Sequence, residues 1–120
     1  MNKTPSSKPY DLEDRTLQFA KDTIEFLNKI PKSLPNNEIS KQLIRSAGSV
    51  GANYIEANES LGKKDFVMRI KICRKESKES RYWLKLISCN SESEKDREKL
   101  IQETNELMKI FGAILEKSKG

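Results

Sequence analysis

Histidine is absent from all 120 residues. That gap removes imidazole acid–base catalysis, His-supported nucleophiles and His metal ligands. The two cysteines cannot make a structural zinc site by themselves. Neither a GxxxxGK(S/T) nor a GxGxxG phosphate loop occurs. No apolar run approaches the length of about eighteen residues that a membrane span needs, and no charged n-region with an apolar h-region opens the chain. The expectation is a cytoplasmic protein that is not an enzyme, with no catalytic residues, no cofactor, no metal and no membrane partner. Cys73 and Cys89 are expected on one helix, about 24 Å apart at 1.5 Å per residue, too far to bridge. They read as reduced thiols.

Glycine and proline are also scarce, at five and four residues, while charged residues make up 34% against 35% hydrophobic. This balance belongs to helical proteins with solvated outer faces. The opening "MNKTPSSKPY" lacks periodicity and reads as a mobile arm over residues 1–10, ahead of one domain over 11–118. Asp11 is the expected N-cap of a first helix, with Glu13 and Asp14 in its first turn. Its apolar stripe is Leu17, Ala20, Ile24 and Leu27, widened by Phe19, Phe26 and Ile30. "PKSLPNN" breaks that helix, and Asn36 or Asn37 is placed to cap the next.

The second helix runs through Ile39, Leu43, Ala47, Val50, Tyr54 and Ala57. Gly48 and Gly51 lie within it, each costing about 1 kcal/mol relative to Ala, which points to close backbone approach by another helix. "NESLGKK" ends it, and a third helix is expected from about Lys63 to Cys89. "NSES" opens the fourth, with Ser91 or Ser93 as cap and Glu94 or Asp96 in the first turn. Leu100, Thr104, Leu107, Phe111 and Ile114 form its main stripe, and Ile101, Met108 and Leu115 a second. Four amphipathic helices with short connections predict an all-α fold, an antiparallel up-down-up-down four-helix bundle.

The third helix carries three faces when its residues are set 100° apart. Phe66, Ile70, Cys73, Ser77, Ser80, Leu84 and Ile87 share the bundle face. Its mid-stripe serines fit close packing on the small middle of the second helix, or a buried polar network that recruits Asn53 or Glu79. Met68, Ile72, Trp83 and Leu86 form a second apolar sector with Glu76 and Glu79, an expected oligomer interface unless it is the margin of one broad core. Arg45 on the second helix is expected to find Glu79 as a structural ion-pair partner.

The third face is basic: Lys64, Lys71, Arg74, Lys75, Lys78, Arg81 and Lys85. Residues 63–85 contain nine Lys or Arg and three acids, a balance of +6, whereas residues 91–118 contain five and seven, a balance of −2. From residue 71 to 85 the stripe is about 20 Å long and could follow several phosphates. Lys71, Arg74, Lys75, Lys78, Arg81 and Lys85 are therefore the candidate nucleic-acid contacts, against the plainer reading of a solvated face. With no interleaved aromatics, contact to phosphate rather than to bases is expected.

"QLIRSAGSVGANYIEA" at 42–57, the "DF" pair at 65–66 and "CRKESKESRYWL" at 73–84 stand in an order that resembles the bacterial 23S rRNA intervening-sequence proteins, a four-helix bundle family. The similarity extends over about residues 12–115. Members are encoded within insertions in large-subunit rRNA genes or elsewhere in bacterial genomes. A related accessory protein of diversity-generating retroelements is a basic homopentamer that binds nucleic acid and associates with a reverse transcriptase. The resemblance thus implies an oligomer, a pentamer by analogy, with RNA slightly favoured over DNA as partner. The competing expectation is a protein-interaction scaffold, for example for a reverse transcriptase.

Overall fold

The computed structural model describes residues 11–119, and the expected arm at 1–10 lies outside them. Four helices form a bundle: α1 Leu12–Lys29, α2 Leu34–Asn58, α3 Lys63–Leu86 and α4 Glu94–Lys117, the last preceded by a 3-10 turn at Ser91–Ser93. Among the described residues there is no strand.

The helix ends follow local chemistry. Ile30 is extended (φ −89°, ψ 162°) because Pro31 disfavours helical backbone in the residue before it. Ser33, not Asn36 or Asn37, caps α2, its Oγ accepting the Asn36 N–H at 3.2 Å. Pro35 sits in the first turn, where no N–H partner is required, so the helix starts before this proline rather than after it. Asn36 is freed for another task. Buried, it donates to the carbonyls of Pro31 and Ser88 at 2.9 Å and accepts the Ser88 N–H at 3.1 Å, tying the start of α2 to the chain leaving α3.

Asp11 and Ser93 occupy the expected cap positions of α1 and α4, but neither side chain makes a capping bond. α3 stops at Leu86 with Ile87 extended, so Cys89 lies beyond the helix on which it was expected. Arg97 meets this end, donating to the carbonyls of Leu84 and Ile87.

In α1 the core face is turned by one residue from the expected stripe. Leu17 and Ile24 are 53% and 46% exposed, while Thr16 and Thr23 are buried. Phe19 and Phe26, both buried, carry far more apolar area than any neighbour and set the rotation of the helix. Each threonine tolerates this position because its hydroxyl bonds back within the helix, to Leu12 O and Phe19 O at 2.8 Å, leaving its methyl to the core. In α4 Leu115 is buried where Ile114 was expected, and Ile114 is only half-buried.

The packing register is fixed by particular pairs. Glu13 and Thr16 meet Asn58 and Gly51. Asn36, Ser46 and Asn53 meet Ser88, Ser80 and Arg69. Arg81 and Ile87 meet Asn105 and Arg97, and Arg15 and Lys29 meet Glu103 and Asp96. Across each of these four contacts rising numbers face falling ones.

The expected close approach is real at only one of the two glycines of α2. A Cβ on Gly51 would stand 2.9 Å from Thr16 Oγ1, whereas a Cβ on Gly48 would meet nothing within 4 Å. The α2–α3 seam is held by small polar groups. Ser46 and Ser80 hydroxyls lie 2.8 Å apart, and the buried Cys73 thiol donates to Val50 O at 3.4 Å. Burial pushes that thiol up to about 12. Asn53 and Glu79 do not join this buried group; they bridge the same two helices at its margins, paired with Arg69 and Arg45.

Candidate nucleic-acid interface

α3 keeps its basic face wet because its three acids do not share it. Glu76 and Glu79 turn to the α2 side and bind Arg45 at 3.4 and 2.6 Å, which includes the expected Arg45–Glu79 pair. The hydrogen bond that Arg45 donates to Glu76 leads in raising the Arg45 pKa. Lys71, Arg74, Lys75, Lys78 and Lys85 are exposed. The salt bridges among the described residues use other cations throughout. Arg81 differs from its neighbours: it is half-buried and donates to Asn105 Oδ1 at 2.6 Å.

That bond marks the α4 border of the stripe. Arg74 and Arg81 line a groove of about 380 Å³ together with Gln102, Asn105, Met108 and Lys109 of α4. Met108 belongs to the second apolar stripe expected of this helix, whereas Gln102, Asn105 and Lys109 carry no sequence signal of their own, since amides and a single lysine on a helix read as an ordinary solvated face.

A larger cleft of about 770 Å³ lies between α1 and α4. Its rim has the opposite charge, with Asp11, Asp14, Asp22, Glu25, Asp96 and Glu103 against Arg15, Lys29 and Lys99. Arg15 crosses it to Glu103 with two bonds of 2.7 and 2.9 Å, and Lys29 reaches Asp96 at 2.8 Å. The Lys29 ammonium holds the Asp96 carboxyl below its ordinary value. An excess of carboxylates repels phosphate, so the smaller, basic groove is the relevant one for a polyanion.

The expected oligomer interface is divided by the structure. Met68 and Leu86 are 46% and 50% exposed and Ile72 is partly so. Trp83 packs against the core, with Tyr82 edge-on at 5.0 Å, and its indole N–H is buried without a hydrogen-bond partner among the described residues. Exposed apolar residues also stand on α1 and α2, at Leu17, Ile24, Ile44 and Ile55. No described helix is long and apolar enough to cross a membrane.

The comparisons with known proteins agree with this architecture. A solved structure from Bacteroides thetaiotaomicron, described as a protein of unknown function from the S23 ribosomal protein family, is 28% identical. It superimposes with a TM-score of 0.70 over 86% of this chain and 96% of its own. No curated protein matches. The family model of the 23S rRNA-intervening sequence protein matches residues 9–113, and the chain belongs to that family.

Proposed function

We propose that this chain is a non-enzymatic, oligomeric nucleic-acid-binding protein of the bacterial cytoplasm, built as an antiparallel up-down-up-down bundle. The outer face of α3 tracks phosphates, and RNA is preferred slightly over DNA. One observation carries the reading: five cations are exposed on one helix face while two of that helix's three acids are drawn off to Arg45. The family's rRNA-linked name favours RNA. The packing registers support the up-down arrangement.

Fluorescence anisotropy with labelled single-stranded RNA and DNA, repeated at several salt concentrations, tests this. Replacing Lys71, Lys75 and Lys78 together by alanine lowers affinity and reduces the log–log salt slope by about 0.7 for each phosphate no longer neutralised. Binding indifferent to both salt and the triple change overturns the reading.

Self-association runs through Met68, Ile72 and Leu86, with Trp83 as the rigid base beneath them. Burial of each large side chain favours it by about 1.5–3 kcal/mol, against repulsion between basic stripes that salt screens. A pentamer rests on resemblance alone. Light scattering is expected to give an oligomeric mass at micromolar concentration, reduced by Met68→Asp with Leu86→Asp; a monomeric wild-type protein refutes it.

The second reading is a scaffold for another protein such as a reverse transcriptase, and the acidic α1–α4 cleft favours it as a surface for a basic partner. A reverse-transcriptase gene beside this one supports the scaffold, and an rRNA insertion supports RNA binding.

A further inference from the structure

Building on the nucleic-acid reading, we propose that the groove between α3 and α4 is a site for one phosphorylated nucleotide with an unpaired base. Arg74 and Lys109 take the phosphate, Asn105 and Gln102 read the base edge, and Met108 supports the ring.

The hydrogen bonds already present determine what the amides offer. Asn105 gives its Oδ1 to Arg81 Nη1 at 2.6 Å, which sets the orientation of the amide and leaves its NH₂ group as a donor. Gln102 uses its Nε2 on Glu106 Oε2 at 3.0 Å, leaving its carbonyl oxygen as an acceptor. Residues three apart on a helix are neighbours on its surface, so α4 presents a donor beside an acceptor. Every nucleobase carries an adjacent acceptor and donor on an edge that is open when the base is unpaired, and single-stranded RNA is read at such edges.

The surroundings suit the rest of a nucleotide. No carboxylate lines the groove, whereas three cations do. Glu106 lies beside the groove, accepting from Gln102 Nε2 at 3.0 Å and standing 3.9 Å from Lys109 Nζ, a loose exposed pair that Lys109 gives up to reach a phosphate. The Arg74 guanidinium lies over α4 beside Gly112, its Nη1 4.0 Å from where a Cβ there would stand. Half-buried Met108 offers a polarizable floor to an aromatic ring. The volume of about 380 Å³ falls in the range of small-ligand sites, roughly 300–1,000 Å³. The site adds base discrimination to a stripe that otherwise reads only phosphate.

The test follows the side-chain amide signals of Asn105 and Gln102 by NMR in ¹⁵N-labelled protein. The probes are the four nucleoside 5′-monophosphates, ribose 5-phosphate and inorganic phosphate, with single-stranded RNA homopolymers measured in parallel by anisotropy. At least one mononucleotide is expected to move both signals saturably and to bind about 5-fold or more tighter than ribose 5-phosphate, the lower end of what one base-edge pair discriminates. Gln102→Leu, at an exposed position, brings the two within about 2-fold while leaving binding of ribose 5-phosphate unchanged. Asn105→Leu gives the same loss through the other amide.

Signals that stay still with every nucleotide, or move equally with inorganic phosphate, overturn the site. RNA binding without base preference alongside silent amides removes this site and leaves the α3 phosphate reading intact. Amides that respond to mononucleotides while no RNA strand binds support the site and make its ligand a free nucleotide, removing the strand reading instead.

Discussion

Asn36 shows at the scale of one residue how a polar side chain decides a junction. It fills both ends of its amide from three backbone groups, two carbonyls and one N–H, on either side of the α2–α3 contact. Asn36→Ala removes a buried side chain and leaves all three part-buried backbone groups without this partner, and is expected to cost about 1–3 kcal/mol, read as a lower urea midpoint with an unchanged m-value. Asn36→Asp is expected to be worse, because a carboxylate has no donor to give to the carbonyls of Pro31 and Ser88. Neither effect was legible in the sequence, where Asn36 beside Asn37 in a proline-broken segment reads as a helix cap. Its true partners are 52 residues away at Ser88, and only the packing of α2 on α3 brings them together.

Whole helices show where periodicity succeeds and where it slips. On α3 the bundle face and the basic face separate because their residues are chemically unlike and the turn is uninterrupted, whereas the second apolar face is divided, with Trp83 against the core and Met68 and Leu86 exposed. The expected bundle face is buried from Ile70 to Ile87. In α1 the same reasoning fails by one position, since Leu17 and Ile24 outrank Thr16 and Thr23 on any hydropathy scale, while the aromatic pair and the back-bonded threonines reverse that order. The groove is illegible for a different reason: Gln102 and Asn105 acquire meaning only from the α3–α4 register that sets Arg74 and Arg81 beside them.

The two glycines of α2 give the element-scale test. Gly48→Ala gains helix propensity with nothing in its way and is expected to stabilise by about 0.5–1 kcal/mol. Gly51→Ala gains the same propensity but drives a methyl to 2.9 Å from Thr16 Oγ1. Thr16 is held by its bonds to Leu12 and Glu13, so overpacking is expected to outweigh the gain by about 1 kcal/mol or more. Thermal melts of the two variants, shifting in opposite directions, check both halves.

Across the whole molecule charge is sorted rather than mixed. α1 and α3 each pack on α2 and α4, so the acidic rim on α1 and the basic face of α3 are carried by diagonally placed helices. A polyanion approaching this field meets attraction on one side and repulsion on the other, which orients it before contact.

The same ion pairs set the dependence of stability on pH. Lys29 holds the Asp96 carboxyl below its ordinary 3.8. The Glu94 carboxyl is held below 4.5, first by the Cys89 thiol and then by Arg97. A carboxyl whose folded pKa is depressed stabilises the fold above its unfolded pKa, and that contribution is lost as pH falls through the folded value. The Lys29 ammonium is raised above 10.5, chiefly by its bond to Asp96, and the buried Cys73 thiol is raised to about 12. Those contributions are full below the unfolded values and are lost only as pH climbs through the folded ones. With no histidine in the chain, no side chain with an ordinary pKa titrates between these limits. The melting temperature is therefore expected to stay within about 3 °C between pH 5.5 and 8, a change under 1 kcal/mol, and to fall steadily from about pH 4.5 towards 2.5. Asp96→Asn should melt lower than wild type on the plateau and lose less on acidification, so that the two curves converge at the acid end; parallel curves would show that the Lys29–Asp96 pair contributes nothing to the acid limb.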